Sequence, residues 1–258
     1  MDAALDDATR ADLFRYLLRL GDDNLVLGHR LSEWCGHGPA LEEDIALANM
    51  ALDCLGQAAG LLELAGQVEG KGRSADDLAY LRDAREFVNA MLVEQPNGDY
   101  ARTIVRQFLY DAFGYHQFEA LTRSRHPELA GLAARSVKEV RYHLRHAGEW
   151  LVRFGDGTDE SHRRAQEALD ELWSYTDELF HSDEVVRRLA AAGIAVDPAE
   201  LRGPWDEMVR QVLDRATLAV PEDGYVASGS REGIHTEHLG HLLAEMQVLP
   251  RSFPGARW

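Results

Sequence analysis

Cysteine is nearly absent: Cys35 and Cys54 are the two in 258 residues. One pair cannot build a disulfide framework, and no Cys-x-x-Cys spacing offers a thiol clamp for zinc or redox exchange, so a reducing, cytoplasmic setting is expected. Positive charge is also scarce. Lys and Arg number 27 against 44 Asp and Glu, a formal net charge of −17, which repels phosphate backbones and anionic lipid and argues against non-specific nucleic-acid or membrane binding. No run approaches ~18 uninterrupted apolar residues, and the acidic stretch Met1 to Asp12 lacks the basic-then-apolar order of a signal peptide. The Gly-x-Gly-x-x-Gly, Walker and Gly-x-Ser-x-Gly patterns are missing, and no serine has an evident base partner. Kinase, dehydrogenase and hydrolase chemistry therefore gain no support.

What is present is helix. Hydrophobic residues at 45% and charged ones at 28% describe an ordinary globular chain. The eight prolines leave long intervals rich in Ala, Leu, Arg and Glu, between Pro39 and Pro96, Pro96 and Pro127, and Pro127 and Pro198. Apolar spacing predicts helices over about Ala11–Trp34, Leu41–Leu64, Ala75–Val93, Tyr100–Arg123 and Glu128–Phe154, with Pro127 opening the last. Further helices are expected near Ser161–Phe180, Glu184–Ala192, Pro198–Thr217 and Thr236–Leu249, and a mobile loop over Pro221–Gly233. Four long helices joined in pairs predict an all-α four-helix bundle with additional C-terminal helices. We expect one domain over residues 1–258, its core bundle at about 11–154 and the extra helices at about 160–250.

A bundle of this shape invites a di-iron centre, which takes a carboxylate from each of two helices and a Glu-x-x-His pair from each of the other two. Matched helix centres place Asp23, Asp53 and Gly56 in the first pair and Asp111, Val140 and His143 in the second. The spacing survives but the ligands do not: Gly56 has no side chain, Val140 is apolar, and one histidine cannot hold two irons. A residual mononuclear site from Asp111, Glu139 and His143 is the weak alternative, and would make this a stand-alone metal-binding protein or metalloenzyme. The favoured expectation is that Asp23, Asp53, Asp111 and His143 form a buried polar network or contact Arg15, Arg106 and Arg141.

Other candidates carry less. His235, His238 and His241 fan over roughly 120° of a helix, so capping near Thr236 and Glu237 is expected rather than metal binding. His146 should point to another flank from His143, into solvent or an interface. The aromatic run Tyr100, Phe108, Tyr110, Phe113, Tyr115 and Phe118 reads as core or subunit interface rather than a cofactor pocket.

Five segments, in order across nearly the whole chain, carry a resemblance. They are Leu25-Val-Leu-Gly-His-Arg-Leu-Ser-Glu-Trp-Cys-Gly-His37, Asp44-Ile-Ala-Leu-Ala-Asn-Met-Ala-Leu-Asp-Cys-Leu-Gly-Gln57, Val93-Glu-Gln-Pro-Asn-Gly98, Lys138-Glu-Val-Arg-Tyr-His-Leu-Arg145 and His235-Thr-Glu-His-Leu-Gly240. Together they resemble the C-subunit family of bacterial phenylacetyl-CoA epoxidase. The resemblance implies that the bundle is ferritin-like, and that the chain is a non-catalytic structural subunit of a multicomponent di-iron oxygenase that epoxidises the aromatic ring of phenylacetyl-CoA in phenylacetate catabolism. It implies no cofactor in this chain, a di-iron site in a paralogous catalytic A subunit, and further partners including a reductase fed by a nicotinamide electron donor. Neither nucleic acid nor membrane is expected as a partner.

Overall fold

The computed structural model describes residues 5–222 and 224–256. Ten α-helices and no strand occur among the described residues. The first pair is α1 (Asp7–Ser32) and α2 (Leu41–Glu69). Asp6 opens α1 by accepting from Thr9 N at 2.9 Å, and Gly70, at φ 72°, closes α2 in the left-handed conformation that glycine reaches without strain. A connection carrying α3 (Ala75–Tyr80) and α4 (Met91–Glu94) leads to the second pair, α5 (Tyr100–Leu121) and α6 (Pro127–Gly155). Asp99 caps α5 at Arg102 N, and Pro127 stands in the first turn of α6, where a missing amide proton costs nothing.

Each pair packs along its length, α1 on α2 and α5 on α6, and α2 meets α6 to close the bundle. The chain then adds α7 (Asp159–Trp173), α8 (Glu184–Ala191), α9 (Arg202–Arg215) and α10 (Glu237–Ser252). Helices α7 and α9 cover the second pair, while α8 and α10 cover α1. Trp205 seals the α9 contact: fully buried against Phe180 and Trp173, it donates from Nε1 to Leu109 O at 3.0 Å. This is the ferritin-like bundle with additional C-terminal helices.

The structure departs from the expected helix over Ala75–Val93, which is broken between Tyr80 and Met91. The cause lies on α1. Buried Asp22 accepts from Val88 N and from the Arg82 guanidinium, and buried Asp23 accepts from Ala90 N at 2.6 Å. Amides committed to these carboxylates cannot also serve a helix. The expected helix near Ser161–Phe180 likewise ends at Trp173, with a 3₁₀ turn at Asp177–Phe180.

The segment Pro221–Gly233 is not the free loop expected. Asp223 lies outside the described residues, but Ala227 N donates to Ser174 O at 2.9 Å, Ser230 is fully buried, and Arg231 reaches Asp23. A count of uninterrupted apolar runs also overlooks α2, which is long and apolar enough to cross a membrane, with a mean hydropathy of 1.4 over 18 residues. One side of α2 is instead packed on α1.

Candidate functional site

The residues singled out by spacing divide between two places. Where α2, α5 and α6 meet, Asp53, Cys54, Gln57, Gln107, Asp111 and His143 form a polar cluster. His143, fully buried, donates from Nε2 to Asp53 Oδ2 at 2.9 Å. Gln107 Nε2 donates to Asp111 Oδ1 at 2.8 Å, and Gln57 Nε2 donates to Glu139 Oε2 at 2.8 Å. Four polar atoms stay without a partner: Asp111 Oδ2, Gln107 Oε1, Gln57 Oε1 and His143 Nδ1. Burial lifts the Asp111 carboxyl to about 7, against the pull of His143 and the Gln107 bond. Burial also disfavours the His143 imidazolium, but Asp53, with Cys54 and Asp111 nearby, outweighs it and raises this histidine to about 10.

Asp23 belongs elsewhere. Arg231 grips it through Nη1 at 3.1 Å and Nη2 at 3.0 Å, so the arginines expected around the cluster are not its partners. Arg106 turns to Gln95 O and Asn97, Arg141 lies over the Tyr115 ring, and the aspartate that feels Arg15 is Asp183.

A di-iron centre does not fit these donors. Gly56, placed inside by the spacing argument, faces solvent, and a Cβ built there would meet nothing within 4 Å. Gln57, one residue and about 100° further round α2, is the group that points inward. Val140 is buried with only methyl groups to offer, and Asp23 is occupied by a guanidinium. Nor do Asp111, Glu139 and His143 converge: Glu139 turns to Gln57, Asp111 to Gln107, and among the described residues no three His, Cys, Asp or Glu groups could share an ion.

The second place is a knot where the connection and the C-terminal segment meet α1. Glu94, fully buried, accepts from Asn89 Nδ2 (2.9 Å), His235 Nδ1 (2.8 Å), Thr236 N (2.7 Å) and Thr236 Oγ1 (2.8 Å). Glu178 accepts from Met91 N and Ser230 N, both at 2.9 Å. Arg30 binds Glu94 O and His238 O, and Asn97 binds Arg30 O. Thr236 does stand at the N-cap of α10, yet its hydroxyl serves Glu94 rather than the helix. His146, expected on another flank, pairs with Glu43 of α2 at 2.9 Å. Spacing rules missed Glu94, Glu178 and Arg231. Glu94 leaves one trace, a lone charge ending the apolar run Met91-Leu-Val-Glu94.

The aromatic run is core. Phe108, Tyr110, Phe113 and Phe118 are buried, and Tyr100 meets Trp34, Trp150 and Phe154 edge-on. A cavity of about 510 Å³ lies between α3 and the end of α10 around Tyr80, Leu81 and Phe253, and none of the polar cluster lines it. A smaller one, about 250 Å³, opens beside Gly56, between Leu52 and Glu139.

Comparison with known proteins finds matches over nearly the whole chain. The profile of the family described as phenylacetic acid catabolic protein matches residues 1–258. The chain is 50% identical over 246 residues to the C subunit of 1,2-phenylacetyl-CoA epoxidase from Escherichia coli (strain K12), an alignment covering 95% of this chain and 99% of that protein.

Proposed function

The chain belongs to the phenylacetic acid catabolic protein family, and from that premise we propose that it is a subunit of a phenylacetyl-CoA epoxidase with a structural, non-catalytic role. It pairs with a catalytic A subunit and holds that subunit's fold. The iron, the substrate pocket and the contact with a nicotinamide-fed reductase belong to partners, and the assembly works in the cytoplasm.

The observation that carries this reading is the donor set at the centre of the bundle. Outward-facing Gly56, apolar Val140 and sequestered Asp23 leave Asp111 and His143 hydrogen-bonded within the protein instead of aimed at a shared ion. A bundle that keeps its shape without these donors has its surface left to contribute, and obligate interfaces between such helical bodies commonly exceed ~2,000 Å².

Co-expression with and without the A subunit, followed by iron analysis and an assay of ring epoxidation, tests the proposal. The expected outcome is an isolated chain without stoichiometric iron or turnover, and an A subunit whose soluble yield depends on this chain. About one tightly held iron per isolated chain, lost in His143→Ala, would overturn it in favour of a stand-alone metalloprotein.

A further inference from the structure

Helix α2 is apolar nearly all the way round, and a helix of that kind is ordinarily buried on every side. Here it is not. The face opposite buried Leu47, Met50, Cys54 and Leu61 leaves Leu41 73%, Ile45 53% and Leu52 66% exposed, with Ala48 and Ala59 on the same stripe. From Leu41 to Ala59 this stripe runs ~27 Å at 1.5 Å per residue, long enough to seat one partner helix. Beside it, two open cavities of about 450 and 250 Å³ follow the groove between α2 and α6. Gly56 lies in this groove with free space where a Cβ would stand, so another backbone can come close.

We propose that the α2 stripe and the α2–α6 groove are a docking surface for a helix of the catalytic subunit that presents an apolar ridge flanked by arginine or lysine. This rests on the functional reading above and adds the face and the chemistry of the partner. Charge selects the occupant. Asp53 and Glu63 of α2 and Glu128 and Glu139 of α6 line the groove, against Arg135 and the His143 imidazolium behind Asp53, which leaves an acidic excess. With −17 on the whole chain as well, a second copy would bring like charge to like. An anionic lipid surface is repelled for the same reason, and the inner side of α2 is already packed on α1.

The experiment compares wild type with Ile45→Glu, Leu52→Glu and, on exposed α10, Val248→Glu. It reads co-purification with tagged catalytic subunit, light-scattering mass of the isolated chain, sedimentation with anionic vesicles, and thermal unfolding. Each substituted side chain is solvent-exposed, so unfolding should be unchanged. The expected result is a monomeric isolated chain that ignores vesicles, and at least tenfold less retained catalytic subunit for Ile45→Glu and Leu52→Glu, with Val248→Glu as wild type. Wild-type complex that weakens as salt rises would support the charge argument. Equal retention by all variants overturns the docking face while the functional reading stands, as does loss only in Val248→Glu. Self-association or vesicle binding abolished by Leu52→Glu overturns it in favour of another occupant. Wild type that retains no catalytic subunit overturns the functional reading itself.

Discussion

At the scale of single residues, the informative groups are charges buried with complete sets of partners. His235 is the clearest. Its Nδ1 faces Glu94 Oε2 and its Nε2 faces Phe87 O, both at 2.8 Å, and two acceptors are satisfied together only by an imidazolium. Burial works against that charge, but the Glu94 bond prevails and the histidine is raised above its ordinary value. A histidine raised on folding adds stability that is fully present below the unfolded value of ~6.5 and is lost as pH rises through the folded value. His235→Gln keeps one donor and abolishes the titration. Denaturant unfolding from pH 5.5 to 9 should therefore show wild type more stable by the widest margin at the acidic end, with the two curves converging as pH rises. Parallel curves would mean that folding leaves the proton affinity of His235 unchanged.

At the scale of elements, the segment leading into α10 acts as a strap. Ala227, Ser230 and Arg231 bond to Ser174, Glu178 and Asp23, His235 and Thr236 both bond to Glu94, and Gly233, at φ 79°, passes so close to Arg85 that a Cβ would stand 2.2 Å from its carbonyl oxygen. Removing one partner of a buried ion pair leaves the other uncompensated. Arg231→Met should thus cost about 3–5 kcal/mol, while Asp23→Leu combined with Arg231→Met should recover part of the loss. Urea unfolding of the two variants measures both, and in the single variant limited proteolysis should cut first between Pro221 and Gly233. The sequence made the long helices legible because apolar spacing, Asp99, Pro127 and Gly70 are local signals that agree with the tertiary packing. It did not make the strap legible. Glycine and serine in Pro221–Gly233 read as freedom, whereas the restraint comes from Asp23 and Glu178, more than 50 residues away from Arg231 and Ser230 in sequence. For the same reason, the break after Tyr80 was hidden in Asp22 and Asp23. The central site was half legible: Asp53, Asp111 and His143 do gather where three helices meet, but a 100° rotation separates Gly56, which the spacing chose, from Gln57, which the packing turned inward.

At the scale of the whole molecule, two electrostatic layers respond differently to salt. The inner layer, Arg82 with Asp22 and Arg231 with Asp23, is out of reach of mobile ions and changes little. The outer layer holds exposed pairs such as Arg163 with Glu160 and Glu167, each worth ~0–1 kcal/mol and weakened by salt. Set against those pairs is the mutual repulsion of a chain carrying −17, which salt relieves. The screening length falls from ~30 Å at 0.01 M to ~10 Å at 0.1 M, so this long-range repulsion is screened first, while pairs in direct contact lose less. The unfolding midpoint of the isolated chain at pH 7 should accordingly rise between 0.01 and ~0.5 M sodium chloride in scanning calorimetry, most steeply at the low end. A midpoint that falls throughout would place the surface pairs, not the net charge, in control. In a complex with a basic-flanked partner the slope should reverse, because the same acidic groups then hold the partner and salt weakens that attraction. The isolated chain and the assembled one thus carry opposite salt signatures, and measuring both separates self-repulsion from recognition.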